Sequence, residues 1–209
     1  MSLGILVSGR GTNMLAIIRA VERGEIERAK VRVVLSDRED AKALGIAKGH
    51  GIEAVWVDPA KAATNDEYGE MLLAALKERG VTPDKGLIAL AGFMRILPPH
   101  FVSAYRDRIM NIHPALLPSF PGLKAHEQAL ERGVKVSGCT VHFVVPEVDS
   151  GPIILQSAVN VEDGDTSDSL AARILREEHR IYPLAIKLFA EGRLKIEGRK
   201  VVVVTGRKK

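Results

Sequence analysis

Cysteine and aromatic side chains are scarce in this chain, and long apolar runs are missing. A single cysteine among 209 residues, Cys139, has no partner for an internal disulfide, which fits a reducing, cytoplasmic setting. Aromatics are 4% of the residues, too few to offer base after base a stacking surface. The 30 Lys and Arg form no basic stripe, so a nucleic-acid partner is not expected. No apolar stretch reaches the roughly 18–20 residues that span a bilayer, so no membrane partner is expected either. The opening Met1-Ser2-Leu3-Gly4-Ile5-Leu6-Val7 lacks the basic head and longer apolar core of a signal peptide. Linkers, repeats and low-complexity tracts are absent, and the His and Cys spacings offer no metal cluster. One domain over residues 1–209 and no metal are the expectations. The last four residues, Gly206-Arg207-Lys208-Lys209, read as a solvated tail, and the net charge of +4 gives a mild field for an anionic small molecule.

Short apolar runs alternate with amphipathic segments over the first ~110 residues, the pattern of βα units on a parallel sheet. Strands are expected at Leu3–Val7, Val31–Leu35, Glu53–Val57, Leu87–Leu90 and Ile109–His113. Helices are expected at Met14–Arg23 and Ala41–Gly49, and from the capping box Thr64-Asn65-Asp66-Glu67 to Arg79, with a short one after Pro98-Pro99. Beyond that, Val141–Val145 and Ile153–Val161 read as longer strands. A helix from Thr166 to Phe189 should kink or split at Pro183, and a hairpin turns at Gly198-Arg199-Lys200. The class is α/β.

The first strand runs into Ser8-Gly9-Arg10-Gly11-Thr12-Asn13 and at once into a helix. Such a loop offers free amides and the positive end of a helix dipole to an anion. A tight turn with Asn13 as N-cap and no ligand accounts for the same residues about as well. A dinucleotide fingerprint needs a third glycine where Met14 stands, and a P-loop needs Gly-Lys-Ser/Thr; a single phosphate fits better.

Asn111 and His113 in Asn111-Ile112-His113-Pro114 share one face of a strand. An amide donor beside an imidazole suits acyl transfer, because attack on a formyl carbonyl creates an oxyanion that both can stabilise. A carboxylate near His113 would raise its pKa and orient it. Asp149, in Glu147-Val148-Asp149-Ser150-Gly151-Pro152, is the candidate, although each residue singly reads more readily as a strand end or a turn. His142 alternates with apolar neighbours on a strand and could face the site in a supporting role. Lys124 and His126 would border it, while His50, His100 and His179 read as structural or surface residues and Cys139 as buried and inert.

Taken together, Ser8–Asn13, Ala91-Gly92-Phe93-Met94-Arg95-Ile96-Leu97, Asn111–Pro114 with Leu116-Leu117-Pro118, and Gly138–Gly151 closely resemble the phosphoribosylglycinamide formyltransferases, in order and spacing, over almost the whole chain. The resemblance implies a Rossmann-like, mostly parallel sheet flanked by helices with an antiparallel C-terminal portion. It implies transfer of a formyl group from the co-substrate 10-formyltetrahydrofolate to the amine of glycinamide ribonucleotide, by a monomer or homodimer. By motif, Asn111 and His113 polarise the formyl oxygen and Asp149 supports His113. Gly11, Thr12 and Asn13 meet the substrate phosphate, and Glu178 holds the glycinamide amine. Met94, Arg95, Ile96 and Leu97, with Asn111 and Val145, Pro146, Glu147, Val148 and Asp149, enclose the pterin, largely through backbone groups.

Two positions depart from the pattern. Family members often carry Arg near Tyr68 for the glutamate tail of the folate; here Asn65 stands at that helix start and Lys61 is the candidate replacement. Pro146 stands where an acidic residue is common, which removes a backbone donor. Among rivals, a methionyl-tRNA formyltransferase would add a C-terminal tRNA-binding domain, and a formyltetrahydrofolate hydrolase an N-terminal regulatory one. A non-catalytic nucleotide-binding module would leave Asn111, His113 and Asp149 without a shared role.

Overall fold

The structure, a computed structural model, describes residues 1–205; the expected tail at Gly206–Lys209 lies outside the described residues. Strands β1 (Ser2–Val7), β2 (Lys30–Ser36), β3 (Glu53–Trp56), β4 (Gly86–Leu90), β5 (Ile109–His113), β6 (Val136–Phe143), β7 (Ile153–Asn160), β8 (Leu194–Glu197) and β9 (Lys200–Val203) form one sheet, ordered β3-β2-β1-β4-β5-β6-β7-β9-β8. The helices are α1 (Thr12–Glu22), α2 (Lys42–Gly49), α3 (Asn65–Glu78), α4 (Pro99–Ala104), α5 (Ala125–Glu131) and α6 (Ser167–Ala190), with a 3-10 turn at Pro59–Lys61. The β3 to β5 half is parallel; β6 runs antiparallel to both β5 and β7, and β8–β9 is an antiparallel hairpin joined in parallel to β7. A mostly parallel sheet flanked by helices, with antiparallel strands toward the C-terminus, is the architecture expected of the sequence.

Period-two alternation distributes β1 between two cores. Leu3, Ile5 and Val7 pack on one face with Ile17, Ile18, Ile174 and Ile186 of α1 and α6, and Leu6 packs on the other with Leu72, Leu76 and Phe101 of α3 and α4. Both faces of the parallel half are therefore covered, which is why its strands read as near-continuous apolar runs. Fully burying one such Leu or Ile contributes about 1.5–3 kcal/mol.

Two expectations need correction, and one helix lies where none was expected. The strand placed at Val141–Val145 begins at Val136 and ends at Phe143. Its first half lacks a strong apolar pattern and is held instead by pairing with β7, Val136 opposite Asn160 through Cys139 opposite Ser157. Pro183 does not divide its helix: α6 runs unbroken through 24 residues, because an apolar stripe of Ile174, Ile181, Tyr182, Ala185 and Ile186 is buried on both sides of the proline. Helix α5 was not foreseen; it follows Lys124, whose left-handed backbone (φ 62°) marks its start.

Candidate active site

The carboxyl ends of β1, β4 and β5 lie side by side at the point where the chain crosses from one half of the sheet to the other, the place where open α/β sheets leave a crevice. Gly11, Thr12 and Asn13 follow β1, Met94 to Leu97 follow β4, and Asn111 and His113 end β5, whereas Glu178 comes from α6 and residues 145–149 from the loop after β6.

After β1, the Ser8 hydroxyl accepts from the Met94 N–H at 2.9 Å and the Ser8 N–H donates to the Gly92 carbonyl at 3.1 Å, tying the first loop to the segment after β4. Gly11 caps α1 with φ 77°, and a Cβ there would stand 2.7 Å from the Ala43 Cβ. Glycine is required on both counts. The N-cap is thus Gly11 and not Asn13, and no side chain caps this helix. Asn13 is turned inward instead. Its Nδ2 donates to Glu178 Oε2 at 2.7 Å, and its Oδ1 is buried without a partner.

Glu178 reaches this point because α6 is pinned one turn further on. The Tyr182 hydroxyl lies 3.0 Å from the Leu90 carbonyl and 2.9 Å from the Met110 carbonyl, at β4 and β5. Residues four apart share a helix face, so Glu178 projects toward the same strand ends. Burial pushes its carboxyl pKa up, against the opposing effect of the Asn13 hydrogen bond.

Beyond β4, Phe93 and Leu97 are buried while Met94, Arg95 and Ile96 are exposed, Met94 and Ile96 by two-thirds. Exposed apolar side chains of that size, two positions apart, offer a surface to a flat ring. The Arg95 guanidinium lies 4.9 Å above the Tyr68 ring, and the Asn65 amide donates to the Ile96 carbonyl at 3.1 Å. Asn65 is therefore engaged with this segment's backbone.

Asn111 and His113 project from the same face of β5, and the loop after β6 brings Asp149 against His113, with Asp149 Oδ2 3.2 Å from Nδ1. Asp149 holds a left-handed backbone (φ 51°), and its carboxylate also accepts the Gly122 N–H at 2.8 Å. Two residues on, a Cβ at Gly151 would fall 1.8 Å from the Phe143 carbonyl oxygen, so this loop closes against β6 only with glycine there. Val145 is half-buried; Pro146, Glu147 and Val148 are exposed. The His113 Nε2–H donates to the Phe120 carbonyl at 2.7 Å. A carbonyl can only accept, so the Nδ1 contact with Asp149 is a hydrogen bond only in the doubly protonated ring.

The expected rise in the His113 pKa is not what this geometry produces. Burial lowers it, and this outweighs the opposing Phe120 hydrogen bond and the Asp149 charge, while His142 lowers it further. Burial alone would raise the Asp149 pKa, but the neighbouring His142 ring, the hydrogen bond from the Gly122 N–H and the His113 charge hold it below the usual carboxylate range. The site thus pairs an easily ionised carboxylate with a reluctant base.

Sequence reasoning missed the Phe120 carbonyl and the Gly122 N–H, which are backbone groups of a turn; Ser119-Phe120-Pro121-Gly122 is the turn signal that could have drawn attention to them. Lys61 lies in the 3-10 turn ahead of α3. His126 on α5 also has its pKa lowered, first by burial and then by the charge of His113. Cys139 is buried, with its thiol pushed up to about 12. Among the described residues no three His, Cys, Asp or Glu side chains come together to hold a metal ion, and no helix is long and apolar enough to cross a membrane.

Known proteins resemble this chain in sequence and fold. A family profile described as formyl transferase matches residues 1–186. The phosphoribosylglycinamide formyltransferase of Escherichia coli is 44% identical over 94% of this chain and 90% of that protein. The solved glycinamide ribonucleotide transformylase 1 of Symbiobacterium toebii superposes with a TM-score of 0.94 at 51% identity, over 98% of this chain and 94% of that one. The phosphoribosylglycinamide formyltransferase of Anaplasma phagocytophilum superposes at 0.88 with 41% identity, over 100% and 96%. The chain belongs to the formyl transferase family.

Proposed function

We propose that this protein transfers the formyl group of 10-formyltetrahydrofolate to the amine of 5-phosphoribosylglycinamide, giving formylglycinamide ribonucleotide and tetrahydrofolate in purine biosynthesis. Residues 1–209 would act as one formyltransferase domain, in the cytoplasm and as a monomer or homodimer, on two small molecules. The observation that carries the reading is the convergence of two sets of residues distant in sequence at adjacent strand ends: Asn13 with Glu178, and Asn111, His113 and Asp149.

The phosphate end of the substrate fits the amides of Gly11, Thr12 and Asn13 at the start of α1, where the helix dipole favours an anion. Its amine fits Glu178, whose raised pKa lets the carboxyl take up a proton from an incoming ammonium group or pair with it. Met94, Arg95, Ile96, Leu97 and the Val145-Pro146-Glu147-Val148-Asp149 loop supply the walls for the folate, the exposed Met94 and Ile96 facing its ring. The amine nitrogen attacks the formyl carbon, and the carbonyl oxygen becomes an oxyanion that accepts from Asn111 Nδ2. His113, kept neutral by burial, accepts the proton that the amine loses. The imidazolium so formed turns the contact with Asp149 into a charge-assisted hydrogen bond. The oxyanion then re-forms a carbonyl as the bond from carbon to N10 of the folate breaks, and N10 takes the proton held by His113, so charge and protons balance. Both His113 nitrogens are engaged in the structure, so Nε2 acts as the base only when the Phe120 carbonyl releases it and the ring carries its own proton at Nδ1, toward Asp149.

The test is to mix the purified protein with glycinamide ribonucleotide and a 10-formyl folate and follow deformylation by absorbance. Amine-dependent turnover supports the reading. Equal turnover without the amine would make the protein a hydrolase, and no turnover at all would sink both.

A further inference from the structure

The sheet face that carries Asn111 and His113 also carries Thr140 and His142, because β5 and β6 pair with Asn111 opposite His142 and His113 opposite Thr140. His142 is 2% exposed, and a buried imidazole is costly unless its nitrogens are satisfied. Nδ1 lies 2.9 Å from the Phe143 carbonyl. Since a carbonyl only accepts, Nδ1 carries the proton, and the neutral ring presents a lone pair at Nε2. That lone pair stands 3.3 Å from Asn111 Nδ2 and 3.6 Å from Asp149 Oδ1.

The consequence falls on Asn111. An amide side chain can present either its oxygen or its NH2 to a substrate, and only the NH2 stabilises an oxyanion. An acceptor at His142 Nε2 selects the orientation in which Nδ2 points into the site, uses one of its hydrogens and leaves the other free. We infer that His142 is a positioning residue for the transfer: anchored on the Phe143 carbonyl, it fixes the Asn111 amide with its nitrogen toward the formyl oxygen. The inference rests on the formyl-transfer reading above and names no new contact with substrate.

Two substitutions separate the ring nitrogens. His142→Asn keeps an N–H where Nδ1 stands and removes the group at Nε2; His142→Gln keeps an acceptor near Nε2. His142→Asn is expected to lower kcat roughly 10- to 100-fold, the scale of a misplaced donor, with KM for both substrates unchanged. His142→Gln is expected to recover most of that loss. On an Asn111→Ala background, His142→Asn is expected to cost almost nothing more, because it acts through the residue already removed. A wild-type kcat in His142→Asn, a Gln variant no better than Asn, or losses that add in full would each overturn the inference. If the Asn variant does not fold, the imidazole 15N shifts of the wild-type protein serve instead: His142 protonated at Nδ1 supports the inference, and protonated at Nε2 alone overturns it. Wild-type protein with no transferase activity would count against the proposed function and not against this geometry.

Discussion

The Asn13 amide nitrogen donates to Glu178 Oε2 at 2.7 Å, joining the first turn of α1 to the middle of α6 across 165 positions of sequence. In the function proposed above, this bond joins the phosphate loop and the carboxylate for the amine in one unit, and a substrate bearing both groups would be gripped at two points.

Replacing Asn13 by Ala should therefore raise KM for the phosphorylated amine about 10-fold or more while moving KM for the folate little, since a lost hydrogen bond to a charged group costs about 1.5–3 kcal/mol. Steady-state kinetics with each substrate varied in turn gives the answer; equal effects on the two KM values would remove the phosphate loop from the mechanism.

His113→Ala and Asp149→Asn are expected to reduce kcat by roughly 10²–10⁴, the usual contribution of a positioned general acid or base. Binding of glycinamide ribonucleotide by titration calorimetry should stay near normal in both. A near-normal kcat in His113→Ala would rule this residue out of the chemistry.

Stability should decline in mild acid. Burial lowers the pKa of His113, His126 and His179 from the ordinary 6.5. Below 6.5 the unfolded chain therefore takes up protons that the folded chain refuses, and stability is lost as pH falls through that window. The raised Glu178 acts in the opposite sense: its contribution is complete below 4.5 and fades as pH rises through its folded value. Three groups outweigh one, so Tm measured by calorimetry should drop between pH 7.5 and 5.5, and His179→Gln should flatten the slope. A Tm independent of pH over that range would contradict the balance.

Thr140 braces the turn after His113. Its hydroxyl donates to the Ala115 carbonyl at 2.7 Å and accepts from the Leu117 N–H and Gln156 Nε2, each at 3.0 Å. Thr140→Val keeps the shape and strands those groups in a buried setting, at a cost of about 1–3 kcal/mol. Urea unfolding should register it; an unchanged midpoint would mean that water replaces the hydroxyl.

Gly151→Ala should be more damaging than its size implies, because the added methyl meets the Phe143 carbonyl and the loop must shift, taking Asp149 with it. A loss of about 1–3 kcal/mol, typical of overpacking, should come with a fall in kcat, and retention of both would show that the loop has slack.

Much of this protein can be read along the chain. The strands of the parallel half, the helix opened by Thr64, whose hydroxyl accepts the Glu67 N–H, and the shared face of Asn111 and His113 follow from periods of 2 and 3.6 residues and from local capping. Where an element depends on a distant partner, those signals fail. The first half of β6 exists because β7 lies beside it, α5 follows a left-handed Lys124, and α6 passes through Pro183 because its stripe is buried.

The site divides in the same way. The residue types fixed by the sequence decide what chemistry is available: an amide donor, an imidazole, carboxylates and a glycine-rich helix start. Which of them meet, and in what protonation state, belongs to the tertiary structure alone. Asn13 finds Glu178, the Phe120 carbonyl takes His113 Nε2, and burial sends the His113 pKa down where a neighbouring carboxylate alone would send it up. Hydrogen-bond partners and the solvation of a charge depend on everything within a few ångströms in space, and the order of residues along a chain does not contain that neighbourhood until the sheet and helices have packed.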